Sequence, residues 1–246
     1  MKYILVIPAR YQSSRFPGKP LIDIDGKSMI KRVYEQCVKT VDPSLIYVAT
    51  DDQRIKKHCE KNNIQCLMTS NNCLTGTDRI GEVARMIEAD YYINIQGDEP
   101  LFNPKDIDKL LSEIKQQNKK YEVFCGYCSI SDSNRFLSLD VPKVVFNLSK
   151  ELLYISRAGI PGSKKGDFLH GYRQVCAYGF SKRSLKMFCE KNKKTFLEES
   201  EDIELLRFIE MGVKVKMIEM SEESIPVDRK KDLERVINKI KNVRKI

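Results

Sequence analysis

The sequence predicts an α/β protein with a doubly wound, mostly parallel sheet, and two observations support this prediction. Apolar runs of strand length alternate with segments that have the apolar spacing of amphipathic helices. Polar stretches rich in turn-forming residues follow these runs, where open α/β sheets bind their ligands. A chain of 246 residues that is 41% apolar is long enough to bury one such core.

The first half of the chain supplies the parallel part of the predicted sheet. Strands are expected at residues 3–7, 45–49, 64–68 and 91–95, and helices after residue 28, at 51–62, at 77–88 and from 104. Ser28 is expected to cap the first helix and Thr77 the third. Either Asp51 or Asp52 caps the second helix, or the pair belongs to a ligand site.

The pattern changes near residue 123, where runs of strand length follow one another with little helix between them. They cover residues 123–129, 144–148 and 152–156, and residues 159–171 resemble a loop. We expect a single domain, 1–246, that carries a β-rich insertion with antiparallel pairing at about 123–172. A strand at 173–180, helices at 181–190 and 200–211, a strand at 213–220 and a last helix near 228 complete the prediction.

Composition narrows the possible partners. The net charge of +9 is spread over predicted helix faces and a basic C-terminal run, without the clustered aromatics typical of nucleic-acid binding. No apolar run approaches 20 residues, and Met1 and Lys2 lead directly into the first strand. We therefore expect a soluble, cytoplasmic protein with no nucleic-acid partner and no membrane partner.

The eight cysteines are scattered through apolar patterns, as reduced core cysteines are. Only Cys125 and Cys128 have CxxC spacing, and neither a second CxxC nor paired histidines follow. A core position is therefore favoured over a zinc or redox site.

The stretch IPARYQSSRFPGKPL, residues 7–21, is the leading candidate for an anion site. It follows a buried strand and places Arg10, Arg15 and Lys19 around a Pro-Gly turn. Backbone N–H groups and cationic side chains in such a loop suit a polyphosphate. The alternative is a solvated basic loop, because neither common phosphate motif, GxGxxG or GxxxxGK[ST], is present.

Acidic residues follow other predicted strands. Asp98, after the run YYINI and beside a glycine, suits Mg²⁺, which takes one or two protein carboxylates together with phosphate oxygens. Asp228 lies at a later strand-to-helix junction, and spacing alone favours a helix cap there over a metal ligand. The stretch TGTDR at 75–79 is either a plain helix start or a phosphate-recognising turn.

Taken together, these motifs resemble one known family over nearly the whole chain. IPARYQSSRFPGKPL, ATDDQRI, MTS followed by TGTDRI, INIQGDEPL, PKVV, ISRAGIP and VDRKKDLERV occur in the order found in 3-deoxy-manno-octulosonate (Kdo) cytidylyltransferases. The resemblance implies a Rossmann-like α/β fold, a cytoplasmic homodimer that pairs through the β-rich insertion, and Mg²⁺ as cofactor. It also implies a reaction of CTP with a 2-keto-3-deoxy sugar acid, for bacterial surface polysaccharide synthesis.

The resemblance assigns roles to individual residues. Arg10, Lys19, Asp98 and Asp228 would be catalytic, with Asp98 and Asp228 holding Mg²⁺. The nucleotide would be bound by Pro8, Ala9, Arg10, Ser13, Arg15, Lys19, Thr75, Gly76, Thr77, Arg79 and Gln96. The sugar acid would be bound by Gln96, Arg157, Gln174, Tyr178 and Glu204.

The sugar-binding residues are also where this chain departs from the family. Gln174 replaces the usual histidine, and Leu205 replaces a glutamine in the family's Glu-Gln-Leu-Arg. The sugar is therefore expected to be Kdo first, and an amino or nonulosonic relative second. A glycosyltransferase and a non-enzymatic RNA-binding module are the other classes considered; no DxD follows strand 91–95, which weighs against the former.

Overall fold

The computed structural model describes residues 1–12, 16–222, 224–227 and 229–243. The strands are β1 (Tyr3–Ala9), β2 (Asp23–Ile24), β3 (Lys27–Ser28), β4 (Ile46–Thr50), β5 (Cys66–Met68), β6 (Tyr91–Ile95), β7 (Val123–Ile130), β8 (Lys143–Phe146), β9 (Leu152–Ser156), β10 (Gly171–Ser181) and β11 (Val215–Glu219). The helices are α1 (Met29–Cys37), α2 (Gln53–Lys61), α3 (Gly76–Met86), α4 (Pro104–Gln117), α5 (Ser133–Leu137), α6 (Lys182–Glu190), α7 (Phe196–Glu201), α8 (Leu205–Glu210) and α9 (Lys230–Val243).

One mixed sheet runs through the described part of the chain, in the order β11-β7-β10-β6-β1-β4-β5. The four strands β5, β4, β1 and β6 are parallel, β10 is antiparallel to both of its neighbours, and β11 is parallel to β7. The carboxyl ends of β1 and β6 therefore lie side by side, which brings the two polar loops that follow them together.

Helices cover both faces of the sheet, which confirms the doubly wound α/β fold. On one face α1, α2 and α4 bury Val33, Ile55 and Ile107 against Leu5 and Ile93. On the other face α3, α6 and α8 pack against the opposite sides of the same strands. The interior of β1, residues 4–7, is apolar and buried on both sides because helices cover both faces of the sheet.

The predicted β-rich segment divides between two places. Its first strand, β7, pairs with β10 and β11 inside the main sheet, while β8 and β9 form an antiparallel pair joined to β10. The link to β10 is the pairing of Lys143 with Arg173. The antiparallel pairing expected for this segment is therefore present, together with the short helix α5.

The prediction of one continuous helix at 200–211 is wrong. The chain forms two helices, α7 and α8, because Asp202 adopts a left-handed conformation with φ of 52°. This break turns α8 back toward the sheet, and it places Asp202 and Glu204 beside the loops that follow β1 and β6.

Two further sequence expectations concern cysteines and membranes. All eight cysteines are free thiols, and both Cys125 and Cys128 are buried in the core. Burial raises the pKa of the Cys125 thiol, which favours its uncharged form. No helix in the ranges given above is long and apolar enough to cross a membrane.

Candidate active site

A cleft of about 420 Å³ lies at the carboxyl ends of β1 and β6. Its wall combines the loop after β1, the start of α3, the loop after β6 and the start of α8. The lining residues are Pro8, Ala9, Arg10, Gln12, Lys19, Pro20, Gly76, Arg79, Gln96, Gly97, Asp98, Asp202 and Glu204. Most of the predicted nucleotide residues therefore meet in one cavity.

The loop after β1 places two cations at this cavity. Arg10 is exposed and lines the cleft, while Lys19 reaches across to Asp98, with Nζ 2.7 Å from Oδ2. Gly18 closes the turn before Lys19 with φ of 72°, a conformation that favours glycine. The predicted residues Ser13 and Arg15 lie outside the described residues.

The loop after β6 supplies the acidic side of the cleft. A Cβ on Gly97 would lie 2.8 Å from the Pro8 carbonyl oxygen, so only glycine allows this approach of the two loops. The Asp98 carbonyl accepts a hydrogen bond of 2.9 Å from the N–H of Val227. The segment 224–227 thus runs beside Asp98; the predicted ligand Asp228 lies outside the described residues.

The start of α3 forms the third wall. Its cap is Thr75, not Thr77 as predicted: the Thr75 side chain accepts from the Asp78 N–H, and Asp78 Oδ2 accepts from the Thr75 N–H at 2.9 Å. This reciprocal capping box leaves Thr77 in the first turn, where its side chain is buried.

Arg79 follows on the same helix and is fully buried. Its Nη2 pairs with Asp51 Oδ2 at 3.0 Å, and Nη1 donates to the Thr69 hydroxyl. Asp51 therefore belongs to this buried pair, while Asp52 caps α2, so the two neighbouring carboxylates have different roles. The Nε of Arg79 is buried without a hydrogen-bond partner, although Arg79 lines the cleft.

Glu204 also lines the cavity. Its Oε2 accepts a hydrogen bond of 2.7 Å from the Thr77 N–H, and Gly76 lies directly against it. Burial raises the pKa of Glu204, and the bonds from Thr77 oppose that rise. The cleft therefore has a cationic side at Arg10 and Lys19, and carboxylates at Asp98, Asp202 and Glu204.

Comparison with known proteins decides the family. A family profile described as cytidylyltransferase matches residues 4–225. The 3-deoxy-manno-octulosonate cytidylyltransferase of Escherichia coli is 34% identical over 236 residues, which covers 96% of this chain and 94% of the relative. The chain belongs to the cytidylyltransferase family. It is therefore a nucleotidyltransferase.

Two further similarities extend this family assignment. The 8-amino-3,8-dideoxy-manno-octulosonate cytidylyltransferase of a Shewanella species is 37% identical, over 95% of this chain and 96% of the relative. The structure of a CMP:2-keto-3-deoxy-manno-octonic acid synthetase complexed with CTP is 34% identical, with a TM-score of 0.91. The alignment covers 98% of this chain and 99% of that chain.

Some residues predicted to bind the sugar lie apart from the cytidylyltransferase cleft. The Arg157 guanidinium is bonded to backbone carbonyls: Nε to Glu201 at 2.6 Å, Nη1 to Leu139 at 3.0 Å and Nη2 to Asp202 at 3.3 Å. Gln174 Nε2 donates to the Tyr178 hydroxyl at 2.9 Å, and both side chains are buried. None of these three residues is among those that line the cleft.

Lys143, the lysine of the KVV segment, is held by backbone carbonyls. Lys143 is completely buried, and its ammonium donates to the carbonyls of Ser138, at 2.8 Å, and Arg157. Burial and the nearby Arg157 charge lower the pKa of Lys143. Lys143 and Arg157 together fasten the start of the β8–β9 pair to the turn between α7 and α8.

Sequence reasoning missed several residues that shape this site. Asp202, Gln12 and Gly97 line the cleft, and Arg207 joins α8 to the start of α3, but none was assigned a role. The signal for Arg207 was its place three residues after Glu204, which puts both on one helix face. Nothing local to the sequence identifies its partner Asp78, which is 129 positions away.

Proposed function

We propose that this cytidylyltransferase transfers the cytidylyl group of CTP to a 2-keto-3-deoxy sugar acid, Kdo first, and releases pyrophosphate. The observation that carries the proposal is the joining of the basic loop to the acidic loop in one cleft, through Lys19 and Asp98. The similarity to named Kdo cytidylyltransferases over nearly the full chain supports the choice of Kdo. The product would serve bacterial surface polysaccharide synthesis, including lipopolysaccharide and capsule.

The proposed step is a displacement at phosphorus. The anomeric hydroxyl oxygen of the sugar acid forms a bond to the α-phosphorus of CTP, and the bond from that phosphorus to the β-phosphate oxygen breaks. The hydroxyl proton passes to solvent or to the departing pyrophosphate. Such a reaction requires mainly alignment of the reactants and neutralisation of developing charge.

The chain's own groups suit that requirement. Arg10 and Lys19 would bind the phosphates of CTP, because both are cations at the same cavity. Gly76, at the start of α3, would meet the nucleotide, while the N–H groups of Thr77 and Asp78 donate to Glu204 and Thr75. Pro8, Ala9, Thr75, Thr77 and Arg79 complete the proposed nucleotide side, and the side chains of Gln96 and Glu204 both approach Gly76.

Magnesium fits the acidic side of the cleft. Asp98 already pairs with a cation there, at 2.7 Å, and carboxylate oxygen is the ligand type that Mg²⁺ prefers. Asp98 and Asp228 would hold the ion, which would neutralise phosphate charge when bound. In the described residues no group of three or more His, Cys, Asp or Glu could hold a metal, so phosphate and water would complete the shell.

An 8-amino Kdo is the second candidate for the sugar. The Shewanella relative whose name carries that substrate is as similar to this chain as the Kdo enzymes are. Of the two departures, Gln174 is one of the proposed sugar contacts, and Leu205 is buried in the core next to another, Glu204. Kdo and 8-amino-Kdo differ by one group, an amine in place of a hydroxyl. A site can therefore distinguish them only through its contacts with that group.

We further propose that the protein is a homodimer that pairs through residues 123–172. Leu137, Leu139, Leu153 and Leu169 are 57 to 72% exposed in that segment. Phe136 packs against Phe168 with ring centroids 4.9 Å apart, which brings two of these leucines into one region. Exposed apolar side chains concentrated in one region are typical of an interface. Sedimentation of the wild type and of Leu137→Ser, Leu169→Ser tests this pairing.

Pyrophosphate release tests the proposed function. The purified protein is assayed with Mg²⁺, with CTP or UTP, and with Kdo, 8-amino-Kdo or a nonulosonic acid. Release that requires CTP and is fastest with Kdo is the expected result. Background rates with every sugar acid would overturn the proposal, and faster release with 8-amino-Kdo would replace Kdo by the second candidate.

A further inference from the structure

Two helix starts meet at the wall of the cleft. The first turn of α3 carries Gly76 and Thr77, and the first turn of α8 follows Glu204. At the cavity edge they meet through Glu204 Oε2, which accepts a hydrogen bond of 2.7 Å from the Thr77 N–H. A single hydrogen bond at the edge of a cavity does not hold two helices in register, so other contacts must support it.

Arg207 provides that support from beneath the cleft. It is completely buried one turn beyond Glu204, and its Nη1 lies 3.2 Å from Asp78 Oδ1. Its other nitrogens form a paired contact with Glu198: Nε to Oε2 at 2.6 Å and Nη2 to Oε1 at 2.7 Å. The guanidinium also stacks over the Phe188 ring, with Cζ 3.6 Å from the centroid.

Asp78 connects this buried cation to the cap of α3. Its Oδ1 faces Arg207, while its Oδ2 accepts from both the N–H and the hydroxyl of Thr75, at 2.9 and 2.7 Å. Arg207 therefore holds the carboxylate that closes the capping box. Displacement of Asp78 would release the turn that carries Gly76 and Thr77.

Glu198 connects the same cation to α7. It accepts a bond of 3.2 Å from the Thr195 N–H at the start of that helix. Arg207 also donates to the carbonyls of Phe188 and Lys191 at the end of α6. One guanidinium thus joins the ends of three helices around the cleft, and its planar fork allows several such bonds at once.

We propose that Arg207 is a positioning residue, which sets the distance between Glu204 on the sugar side and the first turn of α3 on the nucleotide side. The proposal rests on the proposed use of this cleft for CTP and a sugar acid. Arg207 touches neither reactant; it acts through Asp78 and through its own helix. This role differs from those of the lining residues, because both halves of the cleft would depend on the buried charge of Arg207.

The test compares four single variants and one double variant of the whole protein. Arg207→Met removes the charge and the fork, Arg207→Lys keeps the charge but cannot bond two carboxylates in the same way, and Asp78→Asn removes one partner. Leu206→Ala is the matched control, because it removes a completely buried side chain from the same helix and leaves these hydrogen bonds in place.

The readouts are the CTP dissociation constant by calorimetry, the KM for each substrate, and kcat. We expect Arg207→Met to weaken CTP binding and raise both KM values by about tenfold, the scale of a lost charge-assisted hydrogen bond. Arg207→Lys should recover part of this loss. The double variant of Arg207→Met with Asp78→Asn should lose less than the sum of the two single variants, because they share the Arg207–Asp78 contact.

Two results would overturn the proposal. One is unchanged CTP affinity in Arg207→Met; the other is an equal change in Leu206→Ala at a matched loss of Tm, which would show a purely structural role. If Arg207→Met does not fold, Arg207→Lys and Asp78→Asn give the same comparison. A wild type that binds CTP but is inactive on every sugar acid would sink the proposed function, while CTP affinity would still decide the role of Arg207.

Discussion

The nucleotide side and the sugar side of the cleft are assembled in different ways. The proposed nucleotide side consists of two short motifs, the loop 7–21 and the turn 75–79, and the turn is also held by Glu204 and Arg207 from α8. The sugar side includes Arg157, which contacts the distant α7–α8 turn, while Gln174 and Tyr178 bond within one strand, β10.

This difference coincides with where the chain departs from its family. The nucleotide motifs match the family pattern. Gln174 and Leu205, which belong to the proposed sugar side, depart from it. We expect a substitution on the proposed sugar side to change which sugar is accepted, and one on the proposed nucleotide side to remove the reaction. Variants on the two sides should therefore separate in the parameters they change.

The largest effect is expected for Asp98→Asn. Loss of this carboxylate removes the proposed metal ligand and the partner of Lys19, and we expect kcat/KM to fall by about 10²- to 10³-fold. Pyrophosphate release measures it, with circular dichroism to confirm the fold. Asp90→Asn, at the other end of β6, is the matched control, and an equal loss there would contradict a specific role for Asp98.

Arg79→Met should come next, because it breaks a buried pair on the nucleotide side. Asp51 would keep its charge without its cation, which costs about 3 kcal/mol of unfolding free energy. We expect the KM for CTP to rise more than the KM for the sugar acid. Urea unfolding and steady-state kinetics measure both effects, and the exposed pair variant Arg183→Met should change stability by less than about 1 kcal/mol.

Arg157→Met probes the sugar side. Three backbone carbonyls would lose their donor, and the turn that carries Asp202 would loosen. We expect the KM for the sugar acid to rise by about tenfold, the scale of a lost bond to a charged group, with little change for CTP. Equal increases for both substrates would remove the distinction between the two sides.

The smallest effect is expected for Glu204→Gln, and it depends on pH. Because burial raises the pKa of Glu204, the folded protein keeps this proton over a range above the ordinary value of about 4.3, where the unfolded chain has lost it. The wild type therefore loses stability from this group as the pH rises through that range. Glutamine can still accept from the Thr77 N–H, so the variant should gain about 2 °C in Tm at pH 7.

A comparison of Tm at pH 4 and pH 7 checks the sign. The difference between variant and wild type should be larger at pH 7 and small at pH 4, where Glu204 is protonated in both states. A variant that is less stable at pH 7 would contradict the burial cost assigned to this carboxyl. Activity should fall at the same time, since Glu204 lines the cleft.

The sequence by itself predicted the α/β fold, the anion loop and Asp98. The spacing of apolar residues and the positions of turn residues are local properties of the sequence. Strand 91–95 was therefore predicted correctly to the residue. The family resemblance is confirmed by the match over residues 4–225. The roles given to individual site residues remain predictions.

Tertiary structure alone decided how the halves of the cleft are joined. The left-handed conformation of Asp202 divides the segment that the apolar pattern predicted as one helix. Thr75 rather than Thr77 caps α3, and its capping-box partner Asp78 also pairs with Arg207 from α8. Arg157 met backbone carbonyls from two distant segments. Such contacts join residues up to 129 positions apart, and they depend on how helices pack against the sheet, which no local pattern encodes.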